Sequence, residues 1–122
     1  MLRVEKPTIW QKGLYMIHEL RIYECAPGKM PELHDRFTKH TMTFFEKYGI
    51  KVIGFWTEEI GANNRLVYIT EFESLADREI RWKAFATDPD WIKARISTEV
   101  DGPLTVRVVN TILRPTDYSP LQ

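Results

Sequence analysis

Polar and apolar residues alternate along "HELRIYEC" (18–25), where Glu19, Arg21 and Tyr23 interleave with Leu20 and Ile22. Strict alternation marks a half-buried strand, so a first strand is expected over residues 16–24. The turn "APGK" (26–29) follows, with Pro27 fixing φ and Gly28 supplying freedom. Pro31 suits a first helical turn. Met30, Leu33, Phe37, Thr41, Phe44 and Tyr48 then recur at three- and four-residue steps, one stripe of a helix that stops at Gly49. "IKVIGFWTEEI" (50–60) and "RLVYITEFE" (65–73) read as two strands joined by the turn residues "GANN", hence a hairpin. Ser74 with Asp77 three residues on opens a second helix. Asp88 and Pro89 restart it through Val100 as a cap and a first helical residue. The β-branched run "LTVRVVNTILR" (104–114) is a fourth strand.

The resulting order, βαββαβ, is the ferredoxin-like split unit. Its fold class is α+β: a four-stranded antiparallel sheet with both helices on one face. Alternation then assigns side chains to faces. The helix-covered set is expected to be Leu20, Ile22, Ile53, Phe55, Val67, Ile69, Val106, Val108 and Ile112. The open set is expected to be Glu19, Arg21, Tyr23, Val52, Gly54, Trp56, Leu66, Tyr68, Thr70, Phe72, Arg107, Val109 and Thr111. Such an aromatic open face is too apolar for water and calls for a partner. Two copies packed sheet to sheet would bury it, with the polar members lining the space between.

Composition narrows the classes. The chain has 122 residues, 43% hydrophobic, the size of one domain. Seventeen basic and seventeen acidic residues cancel, which argues against nucleic-acid binding. No apolar run approaches the ~20 residues of a membrane span. Residues 1–15, "MLRVEKPTIWQKGLY", lack a signal-peptide centre and read as a leader outside the domain. The domain is placed at residues 16–114 and a proline-bearing tail at 115–122. A single cysteine, Cys25, excludes an internal disulfide and fits a reducing, cytoplasmic setting.

"HELRIYECAPGK", "GIKVIGFW", "EIGANNRLVYITEFESLADRE" and "FATDPDW" resemble the NIPSNAP family, within the dimeric α/β-barrel superfamily. The match runs from about His18 to Asn110. The resemblance implies a homodimer whose two ferredoxin-like sheets form a barrel. It implies little chemistry, because the family has no generally agreed enzymatic activity. The superfamily includes cofactor-independent monooxygenases, haem-degrading enzymes and small isomerases, by analogy only.

Six residues are candidates for a ligand site. Glu19 and Arg21 lie two apart on one face, and Arg107 neighbours them if strand four flanks strand one. They read first as a structural ion pair of the dimer, since buried charges must be paired, and second as a clamp for an anionic or carbonyl group. Tyr23, Trp56 and Tyr68 read as interface packing or as the wall of a pocket for a small hydrophobic or aromatic molecule. The alternatives are a cofactor-independent monooxygenase or isomerase, with Tyr23, Arg21 and Trp56 orienting the substrate, and a structural dimer with no ligand. His34 and His40, six apart on one helix, do not share a face as a metal pair would, and neither a metal nor a cofactor is expected. Arg78 and Glu79 read as rim contacts.

Overall fold

The computed structural model describes residues 16–121. The expected leader, residues 1–15, lies outside the described residues, as does the last residue of the tail. Strand β1 spans Ile17–Cys25, followed by helix α1 (Met30–Arg36), a π turn (Phe37–Thr41) and helix α2 (Met42–Lys47). Strands β2 (Lys51–Thr57) and β3 (Arg65–Phe72) form the hairpin. Helices α3 (Leu75–Thr87) and α4 (Pro89–Ser97) precede β4 (Thr105–Leu113). The sheet is antiparallel in the order β2-β3-β1-β4, as the ferredoxin-like arrangement requires, with β4 beside β1.

Local chemistry sets the element ends. Ser74 Oγ accepts from the Asp77 backbone N–H at 3.0 Å and opens α3. Asp88 caps α4, its Oδ1 accepting from the N–H groups of Asp90 (2.7 Å) and Trp91 (3.3 Å), with Pro89 in the first turn. Asp88 Oδ2 also takes Lys47 Nζ at 2.8 Å and the Tyr48 hydroxyl, which ties α2 to the α3–α4 corner. Those two hydrogen bonds hold the Asp88 carboxyl well below the usual carboxylate range.

The π turn solves a spacing problem. Leu33, Phe37, Thr41 and Phe45 are buried at four-residue steps. At 3.6 residues per turn, each such step drifts by about 40° around the axis. The wider turn absorbs drift and keeps all four side chains on the sheet. The Met42 N–H reaches back five residues to the Phe37 carbonyl, and Thr41 Oγ1 donates to the Arg36 carbonyl at 3.3 Å. The regular-helix stripe therefore fails in its last part: Phe45, not Phe44, enters the core centre.

The face assignment is inverted on the two central strands. Ladder partners Glu19↔Thr70, Arg21↔Tyr68 and Tyr23↔Leu66 share a face with Ile17↔Phe72, and this is the helix-covered face. Val52, paired with Thr70, lies on it too. Leu20, Ile22, Val67 and Ile69 lie on the other side and keep part of their surface exposed. Phe55 is on the helix side, and Gly54, Trp56, Arg107, Val109 and Thr111 are on the open side, as expected. Ile53 falls in a bulge of β2. Val106, Val108 and Ile112 are not covered, because β4 is the outermost strand, and Val106 is 63% exposed.

The reason for the inversion is volume and partnership. Tyr68 and Phe72 are larger than Val67 and Ile69 and fill a core of rings. Phe45 meets Phe37, Tyr68, Trp82 and Phe85 with centroids 5.1–6.3 Å apart. The charges that come with them find partners on that face, Glu19 from Arg78 in α3 and from Arg21 and Asn110 on the sheet.

Gly49 ends α2 with φ +67°, a conformation that costs an L-residue roughly 1–2 kcal/mol. A methyl group there would also push on the Arg81 guanidinium, which donates to the Tyr48 carbonyl at 3.1 Å. Gly49→Ala should therefore lower the unfolding free energy by about 1–2 kcal/mol in a urea titration. An unchanged midpoint would mean that the α2 end is not a constrained cap.

Candidate functional site

The site is built on β1 and roofed by α3. Glu19 has no exposed surface. Its carboxylate accepts from Arg21 Nη1 (2.9 Å), from Arg78 Nε (2.8 Å) and Nη2 (3.0 Å), and from Asn110 Nδ2 (2.8 Å). Burial alone would push this carboxyl up. The hydrogen bonds from Arg78 and Asn110, with the charges of Arg21 and Arg78, outweigh it and hold the group below its ordinary value.

Arg21 extends the network toward the phenols. Its Nε donates to Tyr68 Oη at 2.8 Å and its Nη2 to Tyr23 Oη at 3.3 Å. The two phenol oxygens lie 2.7 Å apart. The Trp82 ring lies 4.2 Å from the Arg21 guanidinium carbon, a cation–π contact in a buried setting. Burial, more than any other influence, drives the Tyr68 phenol well above its usual range, against the opposing charge of Arg21.

Of the six candidates, Glu19, Arg21, Tyr23 and Tyr68 come together as one network. Arg107 does not join it. Its side chain is on the open face, 3.6 Å from Glu24. Trp56 does not join it either. Its indole folds back over Gly54, where an added Cβ would lie 2.8 Å from the ring. Two members were missed. Arg78 supplies two of the four hydrogen bonds to Glu19 and is no rim residue, and Asn110 supplies another. The signal for Arg78 was present: Arg78, Trp82 and Phe85 fall on one helical stripe, so the charge faces the sheet with the rings.

Beside this network is a cavity of about 380 Å³ between the helix run α1–π turn–α2 and the β2–β3 hairpin. Phe37, Met42, Phe55 and Leu66 give it apolar walls, Trp56 borders it on β2, and His34, Thr38 and Thr57 supply its polar atoms. The π turn contributes Phe37 and Thr38; such wide turns recur at functional sites. Phe37 and Phe55 are the layer between cavity and network. The Phe37 ring is 5.9 Å from Tyr23 and 5.5 Å from Tyr68, and Phe55 is 4.9 Å from Tyr68. Among the described residues, no group of three or more His, Cys, Asp and Glu side chains gathers as a metal site would require. None of their helices is long and apolar enough to cross a membrane.

Sheet order, one-sided helices and the buried strand-one network define a ferredoxin-like α+β domain with its polar centre under the helices. The chain belongs to the NIPSNAP family, whose model matches residues 18–120. It is similar to a solved NIPSNAP-like domain protein from Burkholderia xenovorans, at 30% identity and TM-score 0.77, over 88% of this chain and 90% of that one. A NIPSNAP family protein of unknown function from Agrobacterium tumefaciens is 28% identical with TM-score 0.78, over 89% and 96%. A "Putative antibiotic biosynthesis monooxygenase" from Bordetella bronchiseptica shares the fold alone, at 15% identity and TM-score 0.61, over 83% and 97%. No curated protein matches the chain.

The shifts of Glu19 and Tyr68 each contribute to the pH dependence of stability. Glu19 has a depressed folded value, so its contribution is full above the unfolded carboxylate pKa of about 4.3 and is lost as pH falls through the folded value. Tyr68 has a raised one, so its contribution is full below the unfolded phenol value of about 10 and is lost as pH rises through the folded one. Glu19→Gln leaves Arg21 without its buried counter-charge and should cost about 3–5 kcal/mol at pH 7. Urea midpoints across pH should show the gap between wild type and variant closing on the acid side. A gap constant with pH would remove the ionised Glu19 from the account.

Proposed function

We propose that the protein works as a homodimer in which each protomer holds a small, largely apolar molecule of aromatic type in the cleft between α1–π turn–α2 and β2–β3. The observation that carries the ligand reading is the lining: eight residues around about 380 Å³, none of them Asp, Glu, Lys or Arg. A cavity of this size with apolar walls and a few polar atoms matches small-molecule sites. The walls favour an uncharged ligand body, because no residue of the lining itself pairs a full charge.

The dimer reading rests on the open face. Leu20, Ile22, Val67, Ile69 and Val109 stand together in register there, with Trp56 49% exposed and folded flat beside them. Charged groups flank this strip. Glu71 takes His18 at 3.0 Å and Lys51 at 3.2 Å at one end, and Arg107 meets Glu24 at the other. A flat apolar strip with a polar rim is complementary to its own copy. Two such strips face to face leave little polar lining, which supports moving the ligand from the space between the sheets to the helix side. Cys25, free and buried, fits a reducing compartment, and we keep the cytoplasm as the place of action.

Both parts are testable separately. Sedimentation at micromolar concentration should give a dimer, and Ile69→Lys should give a folded monomer. A monomeric wild type would end the interface reading. Thr38→Trp fills the cavity from an exposed position and should weaken naphthalene binding at least tenfold without changing the dimer. Equal binding by the variant would place the ligand elsewhere.

A further inference from the structure

The phenol pair leaves one proton without an acceptor. Tyr23 and Tyr68 carry two O–H groups, and their single contact, at 2.7 Å, uses one of them. Arg21 donates to both oxygens, so it accepts neither proton. Tyr68 has no exposed surface, and among the described residues the one acceptor its hydroxyl meets is Tyr23. It therefore gives its proton to Tyr23 Oη. The Tyr23 oxygen then accepts from Tyr68 and from Arg21, and its own O–H is left to donate outward. Tyr23 is the half-buried member of the pair, and both of its flanking apolar neighbours, Phe37 and Leu66, are cavity walls.

Charge points the same way. In the buried network two guanidinium groups, Arg21 and Arg78, share one carboxylate, Glu19. The second carboxylate that Arg78 meets, Glu79, is on the surface. Glu19 is thus the one fully buried carboxylate of this network, shared between two guanidinium groups, and Arg21 turns its remaining N–H groups to the phenols. A donor polarised by a buried cation, one ring behind the wall of an apolar cavity, favours negative charge on an oxygen that reaches it.

We propose that the Tyr23 hydroxyl, backed by Arg21, is an oxyanion-binding donor for the cavity, and that the ligand is an aromatic molecule with an acidic hydroxyl, a phenol or an enol. This rests on the ligand reading above and adds the chemical end that the cavity lining lacks. Phe37, the first residue of the wide π turn, is the ring that must turn aside for the ligand oxygen to reach Tyr23. The site binds the oxyanion while the proton leaves to solvent. No covalent step is involved.

The probe is 4-nitrophenol, whose phenolate is read by its visible absorbance, with 4-nitroanisole as the same body without an acidic hydroxyl. On binding to the wild-type protein, the apparent pKa of 4-nitrophenol should fall by about one unit. Tyr23→Phe, which removes only the hydroxyl, should return it to the free value while still binding 4-nitroanisole. An unchanged or raised pKa in the wild type overturns the proposal, and that titration needs no variant to fold. A shift that survives Tyr23→Phe overturns the assignment to Tyr23. If 4-nitroanisole binds saturably and 4-nitrophenol does not, the oxyanion end is wrong and the cavity reading stands. If neither binds, both fall.

Discussion

Glu19 holds a carboxylate with no exposed surface, and its neutralisation organises the elements around it. Four hydrogen bonds reach it from three different parts of the chain: Arg21 in β1 itself, Arg78 in α3 and Asn110 in β4. An unpaired ion in that position would cost several kcal/mol. The register of β4 on β1 and the seat of α3 on the sheet are therefore coupled to one oxygen pair. Shifting β4 by one residue would turn Asn110 to the other face, and sliding α3 by one turn would withdraw Arg78.

Such a network does not exist to add stability. Apolar residues of similar volume are often neutral or better in place of a buried ion pair. What the network does provide is a fixed, polarised end on a strand otherwise surrounded by rings. The aromatic layer supplies the low-dielectric surroundings in which that polarity has effect. Phe37, Phe55 and Tyr68 pack edge to face or tilted within 4.9–5.5 Å of one another and close the network off from the cavity. The same rings thus serve as core on one side and as cavity wall on the other. The π turn belongs to this economy of space, because it keeps Phe37 and Phe45 on one face across a run that a regular helix would twist apart.

Much of the fold was legible because it depends on local signals. The alternation in β1, the "GANN" turn, the Ser74 and Asp88 caps and the glycine at position 49 each fix an element end by backbone chemistry alone. The family likeness agreed with them. The faces of β1 and β3 were not legible by the same logic. Alternation states that Glu19, Arg21 and Tyr23 share a side, but not which side meets the helices. Hydrophobicity misleads there, because both sides carry apolar residues: Tyr68 and Phe72 on one, Leu20, Ile22, Val67 and Ile69 on the other. Size decides where polarity does not. Tyr68 and Phe72 bury more surface than Val67 and Ile69, and their ladder partners are carried inward with them. Trp56 and Arg107 lie on the open side as expected, although Val52 in β2 and the exposed Val106, Val108 and Ile112 in β4 depart from the assignment of those strands.

The cavity was beyond sequence reading for a different reason. Its walls come from α1, the π turn, α2, β2 and β3, and its existence depends on how far the helix run stands from the edge hairpin. Nothing in the spacing of His34, Thr38 or Met42 reveals that distance. The inversion, however, changes what the polar strand can do. On an open face, Glu19, Arg21 and Tyr23 would meet a partner chain and be neutralised across an interface. Beneath the helices they are partnered within one protomer, with the Arg21 guanidinium behind Tyr23. Each protomer therefore carries a complete polar end of its own, and the chemistry of one site does not require residues from a second copy. The apolar strip and the polar network with its neighbouring cavity then lie on opposite faces of one sheet, joined through the four strands between them.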